Sequence, residues 1–190
     1  MKFSMALMLV LLSFSLSIMA REITISSGNY KEAMGNTNFI KFDMESTKFG
    51  FVTTGFTGVA RQFRVSFEEQ NNILSKILVV VPVKEMDTDS NARNEKMWET
   101  SLGMSQHPEL KVDLPGPVPL QEGVSEVEGH IQIRGLFYPI KVKLELKKRE
   151  GGMTVTGTSD LTISGTKIPD PSIIIAKVRD RIDLSFRLDL

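Results

Sequence analysis

Residues 140–148, IKVKLELKK, alternate without interruption: Ile140, Val142, Leu144 and Leu146 fall on one side, Lys141, Lys143, Glu145 and Lys147 on the other. A period of two is the signature of a strand with one dry face and one wet face. A helix with this sequence would scatter the lysines all round its axis. The dry face must meet something, either a packed core or a cavity.

The same period recurs along the chain. In VEGHIQIRG the inward set is Val127, Gly129, Ile131 and Ile133. In MTVTGTSDLTIS it is Met153, Val155, Gly157, Ser159, Leu161 and Ile163, and in RIDLSFRLDL it is Ile182, Leu184, Phe186, Leu188 and Leu190. KILVVVPV, FIKFDM, KFGFVTTGFTG and ELKVDL read as further strands. Turn residues fall between them, in EEQNN, PGPVP, REGG and IPDP, and LFYP (136–139) reads as a connection between two strands. One stretch, 87–104, lacks strand alternation and carries helix formers; Asp89 or Ser90 can cap it and Gly103 can end it. The expectation is an all-β chain of about eight antiparallel strands with one substantial helix, about 89–103.

One helix cannot cover eight half-wet strands, so the sheet must fold onto another sheet or close on itself as a barrel. Gly129, Gly157 and Ser159 stand in the inward register. Small inward residues either leave room for a ligand, as an eight-stranded barrel can, or mark bulges and bends. If the barrel is hollow, its wall is drawn from Phe49, Phe51, Val79, Val81, Ile131, Ile133, Ile140, Val142, Leu144, Val155, Leu161, Ile163, Leu184 and Phe186.

Composition excludes several functions. The 23 basic residues balance 23 acidic ones, so no basic field for nucleic acid is expected. There is no cysteine, hence no disulfide, thiol nucleophile or thiolate metal site. The two histidines, His107 and His130, have no second histidine at ligand spacing, and no nucleophile elbow or phosphate loop exists. Neither an enzyme nor a metal protein is expected from these residues, and no cofactor.

The first 20 residues form a separate object: Lys2, an apolar run interrupted by serines, then small residues up to Ala20. They read as a secretory signal peptide cleaved near Ala20–Arg21, leaving one domain over 21–190. The rival is an uncleaved anchor, which wants about 20 predominantly apolar residues.

The helical stretch also carries a resemblance. Asp87-Thr88 and Arg93, with Asn94 where Asp is usual and Met97 where Leu is usual, resemble the signature of the YceI-like family. Leu102, Gly103 and Met104 replace its Phe-Phe-Asp, and His107-Pro108 its Tyr-Pro. GHIQIRGLFYPIKVKLEL (129–146) is similar to the family's strand pair, with Arg134 where His is usual, and KFGF (48–51) fits its first long strand. The resemblance implies a periplasmic or secreted, lipocalin-like barrel with a helix beside it. It also implies an internal cavity for polyisoprenoid or related amphiphilic lipids, quinone-like chains included, whose wall would be the residues named above. Arg93 is then a candidate for headgroup contact, against the plainer role of bonding Asp87 or a loop carbonyl. Transient membrane contact is a further expectation, and the chain does not disclose its oligomeric state. The competing functional reading is a barrel filled by its own side chains that acts through its surface as an interaction or stress-adaptor protein.

Overall fold

Alternating residues become strands here because only a pleated chain puts all four apolar side chains of residues 140–148 on one face. The computed structural model describes residues 18–172 and 176–190; the leader expected over 1–20 lies outside them up to position 17. One antiparallel sheet contains β1 (Met19–Ser26), β2 (Phe39–Lys48), β3 (Val52–Ala60), β4 (Gln62–Gln70), β5 (Ile73–Pro82), β6 (Met86–Asp87) and β7 (Glu109–Leu114). It continues with β8 (Val118–Pro119), β9 (Gly123–Ile133), β10 (Leu136–Arg149), β11 (Gly152–Leu161), β12 (Ala176–Val178) and β13 (Ile182–Asp189).

The segments outnumber the expected eight for simple reasons. Arg61 alone interrupts what is otherwise one long strand, β3–β4, and β6, β8 and β12 are two or three residues long. β1, which was not expected, pairs with β4 from Met19↔Glu69 to Ser26↔Gln62. The remaining ladders make a circuit. From β4 it runs through β5, β7, β9, β10, β11 and β13 to β2, and β2 pairs with β3. Because β3 and β4 are one bent strand, the sheet curls back onto the strand it left. LFYP is not a connection: Leu136–Pro139 opens β10, and the turn is Arg134–Gly135, both with positive φ.

The helix is shorter than expected. α1 is a single turn at Tyr30–Gly35, capped by the Asn29 side chain, which accepts from Glu32 N. α2 (Asn91–Glu95) continues as a wider π-type turn, Lys96–Ser101, in which Leu102 N–H bonds Met97 O five residues back. Gly103, φ +65°, ends it as the sequence implied. Among the described residues no helix is long and apolar enough to cross a membrane.

The dry faces converge. Phe63, Val65, Phe67, Leu74, Leu114, Val118 and Leu146 are buried together. The residues of IKVKLELKK divide as their parity requires: Ile140, Val142, Leu144 and Leu146 are buried, and Lys141, Lys143, Glu145 and Lys147 are exposed.

Candidate functional site

The inward faces do not fill the space they enclose. A cavity of about 700 Å³ runs inside the curled sheet. Its wall is apolar over most of its length and comes from nearly every strand of the circuit. Val79, Val81, Ile131, Ile133, Ile140, Val142, Leu144, Val155, Leu161, Ile163, Leu184 and Phe186 all line it. Leu146, in the same register as Leu144, does not; it is packed at 2% exposure. The dry face of IKVKLELKK therefore looks at the cavity along most of its length and at packed side chains at its end.

Two expected wall residues are elsewhere. Phe49 and Phe51 are 65% and 80% exposed and sit in the turn between β2 and β3, where Phe51 N–H bonds Lys48 O. Their spacing of two mimicked strand alternation, but Phe49 (φ +51°) and Gly50 (φ +81°) reverse the chain between them. The inward glycines need a different account as well. A side chain at Gly157 would strike the Phe186 ring and Leu144, and one at Gly129 would strike the Asp113 backbone and Leu114. They admit neighbours, not ligand; of the three small inward residues, Ser159 alone lines the cavity.

The wall also contains residues that the sequence reading passed over. Val65 and Phe67 of β4, Ile40, Phe42 and Met44 of β2, and Phe56 of β3 all contribute. The signal for β4 was present: QFRVSF buries Phe63, Val65 and Phe67 in strict alternation.

One end of the cavity is polar. Ser46, Lys48, Thr88, Ser90, Arg93 and Lys96 line it there, together with Ala92, Pro171 and Ala176. Among the described residues every charged one on the wall is basic: Lys41, Lys48, Arg93 and Lys96. Among the described residues none of the four is ion-paired with a carboxylate. Lys41 Nζ donates to Met34 O at 3.1 Å and Lys96 Nζ to Pro171 O at 2.7 Å. A low-polarity tube with Lys48, Arg93 and Lys96 at one end suits a long apolar chain with a polar or anionic head.

Arg93 is held by a network centred on Thr88. Its Nε donates to Thr88 Oγ1 at 2.9 Å and its Nη2 to Thr88 O at 2.8 Å. Thr88 Oγ1 and N–H in turn donate to Asn94 Oδ1 at 2.6 and 2.8 Å, and Asn94 Nδ2 donates to Asp87 Oδ1 at 2.8 Å. The guanidinium lies 4.1 Å from the centre of the Phe56 ring. Arg93 thus bonds the loop carbonyl, one of the two plainer partners expected, while staying on the cavity wall. Trp98 donates to Met86 O at 2.8 Å and stays off the wall. Arg134, where the family pattern has His, donates to Thr100 O and Ser101 O and so satisfies carbonyls at the end of the helix. Among the described residues no three His, Asp or Glu side chains converge as a metal site.

A curled antiparallel barrel around an apolar cavity, with a short helix beside its polar end, defines a class of internal-cavity binding fold. Residues 32–190 match the YceI-like domain, and the chain belongs to that family. Solved structures share the fold. BcnA of Burkholderia cenocepacia superposes with a TM-score of 0.63 at 13% identity, over 80% of this chain and 96% of that one. A polyisoprenoid binding domain from Saccharophagus degradans, implicated in plant cell wall breakdown, gives 0.60 at 13% identity, over 80% and 92%. A Campylobacter jejuni YceI protein gives 0.56 at 12% identity, over 70% and 82%. No curated protein matches the chain.

Proposed function

We propose that the protein is an exported lipid-binding protein that holds an isoprenoid, or a similar long-chain amphiphile such as a quinone, in the barrel cavity for carriage or storage. The observation that carries this reading is the cavity itself: an apolar tube of about 700 Å³ whose wall charges are all basic. The description of the Saccharophagus relative as a polyisoprenoid binding domain agrees with it. So does the physics of such a tube. Each buried CH₂ contributes about 0.8 kcal/mol, so a long chain binds tightly with few polar contacts. The head rests near Arg93, whose orientation Thr88 fixes. Binding, without a catalytic step, is the proposed activity; among the described residues neither histidine and no carboxylate lines the cavity. The apolar run before Arg21 supports export to the periplasm or beyond.

The test is solvent extraction of protein purified without detergent, followed by mass spectrometry. A stoichiometric isoprenoid, quinone-like or fatty chain is the expected result. A clean extract, together with no uptake of added lipid, contradicts the proposal and returns the barrel to a surface role.

A further inference from the structure

The exposed phenylalanines among the described residues are Phe49 and Phe51, at 65% and 80%, and Phe137, at 65%. They stand at the same end of the barrel. Ile40, Phe186, Gly157 and Leu144 share one rung across β2, β13, β11 and β10. Lys48 and Leu136 lie equally many residues beyond that rung, toward the same end. The β2–β3 turn and the start of β10 therefore project together. Lys48, which lines the cavity, is the residue next to Phe49, so the aromatic tip adjoins the polar mouth.

Neither folding nor solubility accounts for these side chains. Phe49 has φ +51°, a region that a bulky L-residue enters only at a cost and that Asn or Gly fills readily. The β4–β5 turn of this same chain uses Asn71 and Asn72 at φ +53° and +60°. Phe137 interrupts the wet face of β10, where Lys141, Lys143, Glu145 and Lys147 follow in the same register. The two projecting segments themselves carry only basic charge: between Ser46 and Ala60 the sole charged residue is Lys48, and between Gly129 and Ile140 it is Arg134 if His130 is neutral. The β11–β13 connection between them adds Lys167 and Lys177, and also Asp170 and Asp180.

We propose that this end of the barrel docks on an anionic phospholipid membrane. Phe49, Phe51 and Phe137 insert at the boundary between headgroups and acyl chains, Lys48 lies at the phosphates, and the cavity mouth faces the lipid. Exposed aromatic tips on segments whose own charges are basic are the chemistry of a surface that binds an interface without spanning it. The purpose of docking rests on the carrier reading; the docking itself is measured separately.

The experiment is co-sedimentation of the purified protein, its N-terminus defined by intact mass, with vesicles of phosphatidylcholine alone and of phosphatidylcholine with phosphatidylglycerol in equal parts. The parent is expected to bind the anionic vesicles more strongly, and less so as salt rises. Phe49→Asn with Phe51→Ser is expected to weaken partitioning by about tenfold or more, since two rings no longer leave water. Its melting temperature stays equal or rises, because Asn suits the turn. Val124→Ser removes an equally exposed apolar residue away from the mouth and is the control; it leaves binding unchanged. Absence of parental binding to anionic vesicles overturns the proposal, as does equal binding by the double variant or an equal loss from Val124→Ser. A vesicle-free dimer abolished by the double variant also overturns it, since the patch would then join two copies. Lipid content by extraction is read on the same samples, so an empty barrel that still docks refutes the carrier and not the dock.

Discussion

At the residue scale, the chemistry of the mouth depends on an amide. Asn94 is 4% exposed and uses both ends of its side chain: the oxygen accepts twice from Thr88 and the nitrogen donates to Asp87. Asp is usual at this position in the family pattern, but here a carboxylate would face the Asp87 carboxylate without a proton between them. Asn94→Asp should therefore cost about 1–3 kcal/mol near neutral pH, the price of a buried polar group left without its bond. Like-charge repulsion and burial raise the pKa of the introduced carboxyl. The deficit is largest above that raised value and shrinks as pH falls through it, when a proton restores the bond. Thermal melts of both proteins across pH check this; an unchanged midpoint at neutral pH contradicts it. Part of this site was legible in the sequence, since Asp87, Thr88 and Arg93 stood out. The hub role of Thr88 was not, because it depends on how the chain returns after β6.

At the element scale, the loop after β11 is held by carboxylates. Asp180 accepts from Ser164 N–H at 2.7 Å and from the Ser164 hydroxyl, and these bonds hold its carboxyl below the usual range. Ser172 does the same for Asp170 beside Lys96. Both groups have depressed folded pKa values. Their contribution is thus complete above the ordinary carboxylate value of about 4 and is lost as pH falls through the lower folded value. The Ser164 amide resonance should follow that acid transition in an NMR titration, and Asp180→Asn should abolish it; a transition that persists in the variant contradicts the assignment. Strands with long alternation, β9, β10, β11 and β13, were legible because parity alone sets which side chains meet the interior. The β2–β3 turn was not, because Phe49 takes a conformation that residue type argues against. β4 was overlooked although QFRVSF alternates, and β6, β8 and β12 are too short to have a period. The inward glycines were ambiguous because their role is close approach, such as Gly157 beneath the Phe186 ring, and that is a tertiary fact.

At the scale of the whole molecule, a curled sheet whose inward faces leave a tube, with basic side chains at its mouth beside a short helix, fits the proposed enclosure of a long apolar chain. Wall residues differ in how much of their surface meets that space. Leu146 is packed, and Leu146→Ala should cost about 2–5 kcal/mol of stability. Val79 lines the cavity and is only half-buried, so added volume there enters open space. The most direct measurement is a titration of lipid-free parent, Val79→Phe and Lys143→Ala with a long-chain isoprenoid, with a thermal melt of each. Saturation of the parent at one lipid per barrel is expected. Lys143→Ala, which points to water, should match it within about 0.5 kcal/mol in stability. Val79→Phe should keep the parent's melting temperature while losing most of its lipid binding. A loss of about 1–3 kcal/mol of lipid-free stability in Val79→Phe, the cost of overpacking a filled core, or undiminished lipid binding by that variant, would contradict the account.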